Sequence, residues 1–128
     1  MHAIDTNVLV RLLAQDDAKQ AAAAQKFVQH GAWVSLLVLM EACWVLDTVF
    51  EVSADSLVAA LDMLLEHESI ALQEPDVVRA ALAHLREHPK LGFSDCLILE
   101  VARKAGHVPL GTFDRSLSKL PDTQRLLT

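Results

Sequence analysis

No apolar run in this chain reaches membrane-spanning length, because Glu41 and Asp47 interrupt the longest one, and that excludes a helical membrane anchor within it. Repeats, low-complexity tracts and Pro/Gly/Ser-rich linkers are also missing; the four glycines and four prolines are scattered. Residues 1–128 are therefore read as one domain. Met1 runs straight into His2-Ala3-Ile4-Asp5, without the basic stretch, apolar segment and cleavage site of a secretory leader, so a cytoplasmic home is the expectation. Cysteine is scarce: Cys43 and Cys96 are the two, each in an apolar helical context without metal-type spacing. They are expected as buried thiols rather than a disulfide. Basic charge is short as well, with 11 Lys and Arg against 17 Asp and Glu and a net charge of −6. Proteins that hold phosphate by charge alone are usually basic, yet an acidic chain can bind nucleic acid where a metal inverts the sign at a carboxylate cluster. What remains is 52% hydrophobic and 22% charged, a globular composition in which the motifs must decide the function.

The periodicity alternates strands with helices. A strand is expected around His2 to Asp5, then helices from Asn7 to Leu13 and from Ala18 to His30, the second rich in alanine. Ala32 to Ser35 is a short strand with Ser35 as a cap. Leu36 to Phe50 reads as a helix apolar nearly all round, for which burial on more than one side is expected. Ala54 to His67 is amphipathic, with Leu57, Ala60, Leu61, Leu64 and Leu65 on one face. Ser69 to Leu72 is a strand, and Pro75 opens a helix to about His88. A helix from Asp95 to Ala105 closes at Gly106, Val108 to Phe113 is a strand, and Arg125 to Leu127 is an edge strand. Such alternation implies an α/β fold with parallel pairing, whose ligand site lies beyond the carboxyl ends of the strands.

Asp5 follows the first strand and Asp114 follows Leu110-Gly111-Thr112-Phe113. Taken alone, a helix N-cap is the plainer reading of Asp5, and Asp114 has the same alternative. Asp95 stands in Gly92-Phe93-Ser94-Asp95, where Ser94 could cap and Asp95 favour the helix dipole. Glu41 is the only charge between Ala32 and Leu46 and has no Lys or Arg one turn away. A carboxylate buried there needs compensation, by a metal or by a remote arginine. Carboxylate oxygens suit Mg²⁺ or Mn²⁺, and four such acids suit two-metal phosphodiester hydrolysis. Thr6, Asn7 and Thr112 are placed to hydrogen-bond the carboxylates.

Asp5-Thr6-Asn7-Val8-Leu9-Val10-Arg11, Glu41 in its leucine-rich helix, Ser94-Asp95 and Thr112-Phe113-Asp114 resemble the PIN-domain nucleases, and among them the VapC-type toxins of bacterial toxin–antitoxin pairs. The resemblance covers essentially the whole chain; Cys96 stands where alanine is common. It implies a PIN-like three-layer α/β/α fold with a five-stranded parallel sheet, its first strand central. It also implies endoribonuclease activity with one or two Mg²⁺ or Mn²⁺ ions held by Asp5, Glu41, Asp95 and Asp114, supported by Thr112. The implied partners are RNA, a second copy of the chain in a homodimer, and a VapB-like antitoxin whose tail blocks the cleft. A housekeeping nuclease is the neighbouring alternative.

Other patterns compete. His84-Leu85-Arg86-Glu87-His88 matches the H-x-x-E-H string of inverted zinc peptidases, but Pro89 ends the helix at once and two histidines near a helix C-terminus are the plainer reading. A strand-end Asp5 also suits an aspartyl-phosphate phosphohydrolase, although Asn7 and Leu9 stand where that chemistry wants an acid and a threonine. A catalytically silent protein-binding module of the same fold is the remaining class. Arg11, Lys90 and Arg115 lie nearest the acidic motifs and could touch RNA phosphate, whereas Trp33 and Trp44 are expected in the core.

Overall fold

The computed structural model describes all residues from Met1 to Thr128, and they gather into two compact units, Met1–Pro75 and Asp76–Thr128.

In the first unit β1 (His2–Ala3), β2 (Ala32–Val34) and β3 (Ile70–Leu72) form a parallel sheet with β2 in the middle. His2 pairs with Ala32, and Ala32 with Ile70. The ladder continues past the strands, since the Ile4 amide donates to Trp33 O at 3.2 Å and the Gln73 amide to Val34 O at 2.8 Å. Parallel strands need long crossovers, and helices supply them: α1 (Thr6–Ala14) and α2 (Ala18–Val28) between β1 and β2, α3 (Leu36–Thr48) and α4 (Ala54–Glu66) between β2 and β3. Each starts on a side-chain cap. Asp5 accepts from Val8 N, Asp17 from Gln20 N, Ser35 from Val38 N and Ser53 from Ser56 N, satisfying amides that have no partner in the helix. The Gln73 amide oxygen, just past β3, also accepts from Leu36 N at 2.9 Å. The core is aliphatic: Leu9 and Val10 of α1, Leu39, Ala42 and Leu46 of α3, and the Leu57, Leu61 and Leu64 stripe of α4 are buried.

The second unit holds α5 (Pro75–Glu87, all but its first residue), α6 (Phe93–Ala105), β4 (Leu110–Thr112), a 3-10 turn at Leu117–Lys119 and β5 (Thr123–Arg125). β4 and β5 pair in parallel, Leu110 with Thr123. Val77, Val78, Ala81, Leu82 and Leu85 give α5 one buried face, and α6 buries Phe93, Cys96, Leu97 and Leu99. Gly106 closes α6 in the left-handed conformation, φ 81°, which its missing side chain permits. No helix is long and apolar enough to cross a membrane.

The α/β class and the parallel pairing agree with the sequence expectation, but a five-stranded sheet does not form. The hydrogen-bonded strands make a three-stranded sheet, with β1 at its edge rather than its centre, and a separate two-stranded ladder. The strands have only two or three residues each, so few ladder hydrogen bonds are available to extend either sheet. Two expectations about side chains are also corrected. Ser94 does not cap α6; Gly92 is the N-cap, without a side-chain bond, because the helix already begins at the buried Phe93. Trp33 and Trp44 are exposed rather than core residues.

Candidate functional site

Asp5 follows Ile4, the last residue of the β1 ladder, and is exposed. Its Oδ1 accepts from the Val8 amide at 3.0 Å, so the capping role is real. It occupies one oxygen and leaves Oδ2 for another partner. Thr6 opens α1, half-buried, and Asn7 beside it is exposed. Asp5, Asn7 and Arg11 line one groove of about 350 Å³ in the first unit. Arg11 is already engaged there: Nε donates to Gln20 Oε1 and Nη1 pairs with Asp16 at 3.2 Å.

Asp114 follows β4 by two residues and repeats the arrangement of Asp5. Its Oδ1 accepts from Ser116 N at 2.7 Å and Leu117 N at 3.1 Å, again leaving Oδ2 uncommitted. Thr112 shapes this corner, its hydroxyl oxygen accepting from the Asp114 amide at 3.0 Å. Thr112 thus supports the backbone of the acid rather than its carboxylate.

Asp95 lies in the first turn of α6, half-buried, and its carboxylate takes part in no hydrogen bond or ion pair within the chain. Burial raises its pKa above the ordinary 3.8, and the negative charge of Asp114 raises it further. Burial and a like charge both disfavour the ionised form of this carboxylate. Two acids far apart in sequence, each with an oxygen to spare, therefore share one electrostatic site.

Glu41 departs from expectation. It is exposed, on the side of α3 that also carries the exposed Leu37 and Trp44. The premise of a buried carboxylate needing compensation does not hold for it. Thirteen residues of almost unbroken apolarity hide which face turns outward; Leu39, Ala42, Cys43 and Leu46 are the buried ones. Lys90, between α5 and α6, and Arg115, after Asp114, are exposed.

Within either unit, no three His, Cys, Asp or Glu side chains close up as a ready-made metal cluster. The donor chemistry within the second unit nonetheless fits a hard divalent cation, since Asp95 and Asp114 each present a carboxylate oxygen not used internally, as such ions require; in the first unit Asp5 presents one as well. The H-x-x-E-H histidines take another course. His84 Nε2 lies 3.5 Å from the buried Glu100 carboxylate, which Arg103 Nη1 binds at 3.1 Å. That network was invisible in the sequence string, although the i, i+3 spacing of Glu100 and Arg103 was its one local signal. Phe27, Gln20 and Ala24 in the Asp5 groove were likewise overlooked; their i, i+4, i+7 spacing on α2 places them on one face.

A model of the PIN domain matches residues 3–122. Among solved structures the chain is similar to VapC20 of Mycobacterium tuberculosis, described as a sarcin–ricin loop cleaving toxin. The two are 21% identical over 93% of this chain and 94% of that one, with a TM-score of 0.44, a superposition too loose to bear on activity or partner. No curated protein has a significant similarity to the chain.

Proposed function

The chain belongs to the PIN-domain family, and from that premise we propose that it is a metal-dependent endoribonuclease, the toxin of a toxin–antitoxin pair. The observation that carries the chemistry is Asp95: a half-buried carboxylate without an internal partner, made still less acidic by Asp114. Such a site is costly to leave ionised and becomes favourable once a cation is shared. The site we propose unites Asp5, Glu41, Asp95 and Asp114 as ligands for one or two Mg²⁺ or Mn²⁺ ions. Oxygen donors alone, with no thiolate or imidazole among them, support that choice of metal.

A divalent ion bound there supplies Lewis acidity toward a phosphodiester and its attacking water. The protein's own contribution is positional. Asp5 and Asp114 are fixed through Oδ1 by backbone amides, so their other oxygens need little reorganisation on binding. Thr112 holds the Asp114 corner, and Arg115 and Lys90, both exposed, are the cations we assign to RNA phosphate. Arg11 joins them through the one guanidinium nitrogen not bound by Gln20 or Asp16. Thr6 and Asn7 flank Asp5.

The same reading takes residues 1–128 as one domain in the cytoplasm, assembled as a homodimer and silenced by a VapB-like antitoxin. Exposed Leu37 and Trp44, on the side of α3 that also carries Glu41, support a self-association face bordering the proposed metal site, because large apolar side chains grouped on a surface ask for cover. The α4 leucine stripe, by contrast, is already buried within the chain and needs no partner. The test is to incubate the purified protein with end-labelled RNA. Cleavage with Mg²⁺ or Mn²⁺ that stops with a chelator and resumes on metal addition supports the proposal. Intact RNA with either ion overturns it.

A further inference from the structure

We propose that the groove between α1 and α2 is a nucleobase subsite of the RNA, with the base lying on the Phe27 ring and its phosphate directed toward Arg11. The inference rests on the ribonuclease reading and extends it to where a nucleotide sits. The groove measures about 350 Å³ and lies wholly in the first unit, with Asp5 and Asn7 along α1 and Gln20, Ala23, Ala24 and Phe27 along α2. That is the lower end of the size range for small-ligand sites.

Three observations favour a nucleotide over a purely apolar occupant. First, Phe27 is 47% exposed although Ala24, one turn before it, and Val28, next to it, are buried. Its ring is braced, with the His2 ring centroid 5.5 Å away at a tilt of 39°. An aromatic ring held in place at an open groove is a stacking platform for a base. The alanines at 23 and 24 keep the adjoining wall low. Second, the Asn7 side-chain amide makes no hydrogen bond within the chain, so its donor and acceptor are both available to a base edge. Third, Gln20 and Asp16 orient the Arg11 guanidinium through Nε and Nη1 and leave Nη2 unbonded. A pre-oriented guanidinium suits a phosphate oxygen. Asp5 stands in the same wall, which joins the subsite to the proposed reaction centre.

The experiment is a titration of ¹⁵N-labelled protein with AMP, GMP, CMP and UMP in Mg²⁺, followed by NMR. The Asn7 side-chain amide and the backbone amides of residues 23–27 should shift with at least one nucleotide. Phe27→Ala and Ala23→Leu should each weaken that binding about tenfold, the first by removing the platform and the second by filling the groove. Phe27→Tyr should retain it, which separates loss of stacking from loss of fold. In RNA cleavage Phe27→Ala should raise KM about tenfold with little change in kcat. If no nucleotide shifts the groove resonances, or if they move with protein concentration alone, the subsite is overturned while cleavage by the wild type still stands. If nucleotides bind in the groove but the wild type cuts no RNA, the ribonuclease reading falls and the nucleotide site remains.

Discussion

Replacing Arg103 with methionine isolates the ion network of the second unit. The Glu100 side chain is 8% exposed and Arg103 is 26% exposed. Arg103 Nη1 lies 3.1 and 3.3 Å from the two Glu100 oxygens, and Nη2 donates to Pro121 O at 2.8 Å. Its Nε is 3.0 Å from Asp122 Oδ2, without the alignment of a hydrogen bond. The arginine thus ties α6, which carries Asp95, to the loop ahead of β5, the strand paired with β4. Removing one member of a buried pair costs about 3–5 kcal/mol, because the other charge is left behind. Glu100 keeps His84 at 3.5 Å, so the low end, about 3 kcal/mol, is expected. With an unfolding entropy of about 2.1 cal/mol/K per residue over 128 residues, the melting temperature should fall by about 11 °C. Glu100→Leu combined with Arg103→Met should recover most of that loss, since a well-packed apolar pair can replace a buried ion pair. Thermal melts followed by circular dichroism at neutral pH read both. A drop under about 3 °C for Arg103→Met, the size a surface pair gives, refutes the network as a stabilising element.

Further outcomes follow from the acids and thiols. Asp95→Asn should raise the melting temperature of the metal-free protein at neutral pH. The native pKa of Asp95 lies above its ordinary 3.8 through burial and then the Asp114 charge, so the ionised group costs stability above that raised value. The gain should shrink as pH falls through it and vanish below about 3.8; a pH-independent gain would contradict the cause. Millimolar Mg²⁺ or Mn²⁺ should stabilise the wild type by linkage, by about 2.7 kcal/mol at a hundredfold excess over Kd, and so raise its melting temperature, and Asp95→Asn should blunt that response. Burial pushes the Cys43 thiol up to about 12 and, with the neighbouring Asp95 charge, the Cys96 thiol up to about 11. Neither should alkylate in native protein at neutral pH, whereas both should after denaturation; rapid native labelling would refute their burial.

Much of the local structure was legible because it depends on near neighbours. Ser35 caps α3 as expected, Pro75 opens α5, Gly106 closes α6, and Leu57, Leu61 and Leu64 form the buried stripe of α4. The strand-end positions of Asp5 and Asp114 were readable too, together with their bland capping role. Both roles coexist because a cap uses one oxygen of two. What failed depends on tertiary placement. Apolarity all round α3 carries no phase, so nothing local showed that Leu37, Glu41 and Trp44 face outward. How five short strands divide between two ladders is likewise set by long-range pairing that strand propensity does not encode. The pairing of Asp95 with Asp114, and of Glu100 with His84, joins residues that only the folded unit brings near.

The central claim, that four acids act on one metal site, is tested most directly by Mn²⁺ binding followed by electron paramagnetic resonance on the wild type and on Asp5→Asn, Glu41→Gln, Asp95→Asn and Asp114→Asn. Each substitution should weaken binding by about tenfold or more, the loss expected when a ligand or its close support is removed. Wild-type affinity in Asp5→Asn and Glu41→Gln, with loss confined to Asp95→Asn and Asp114→Asn, would contradict the four-acid site and leave the metal to the second unit alone.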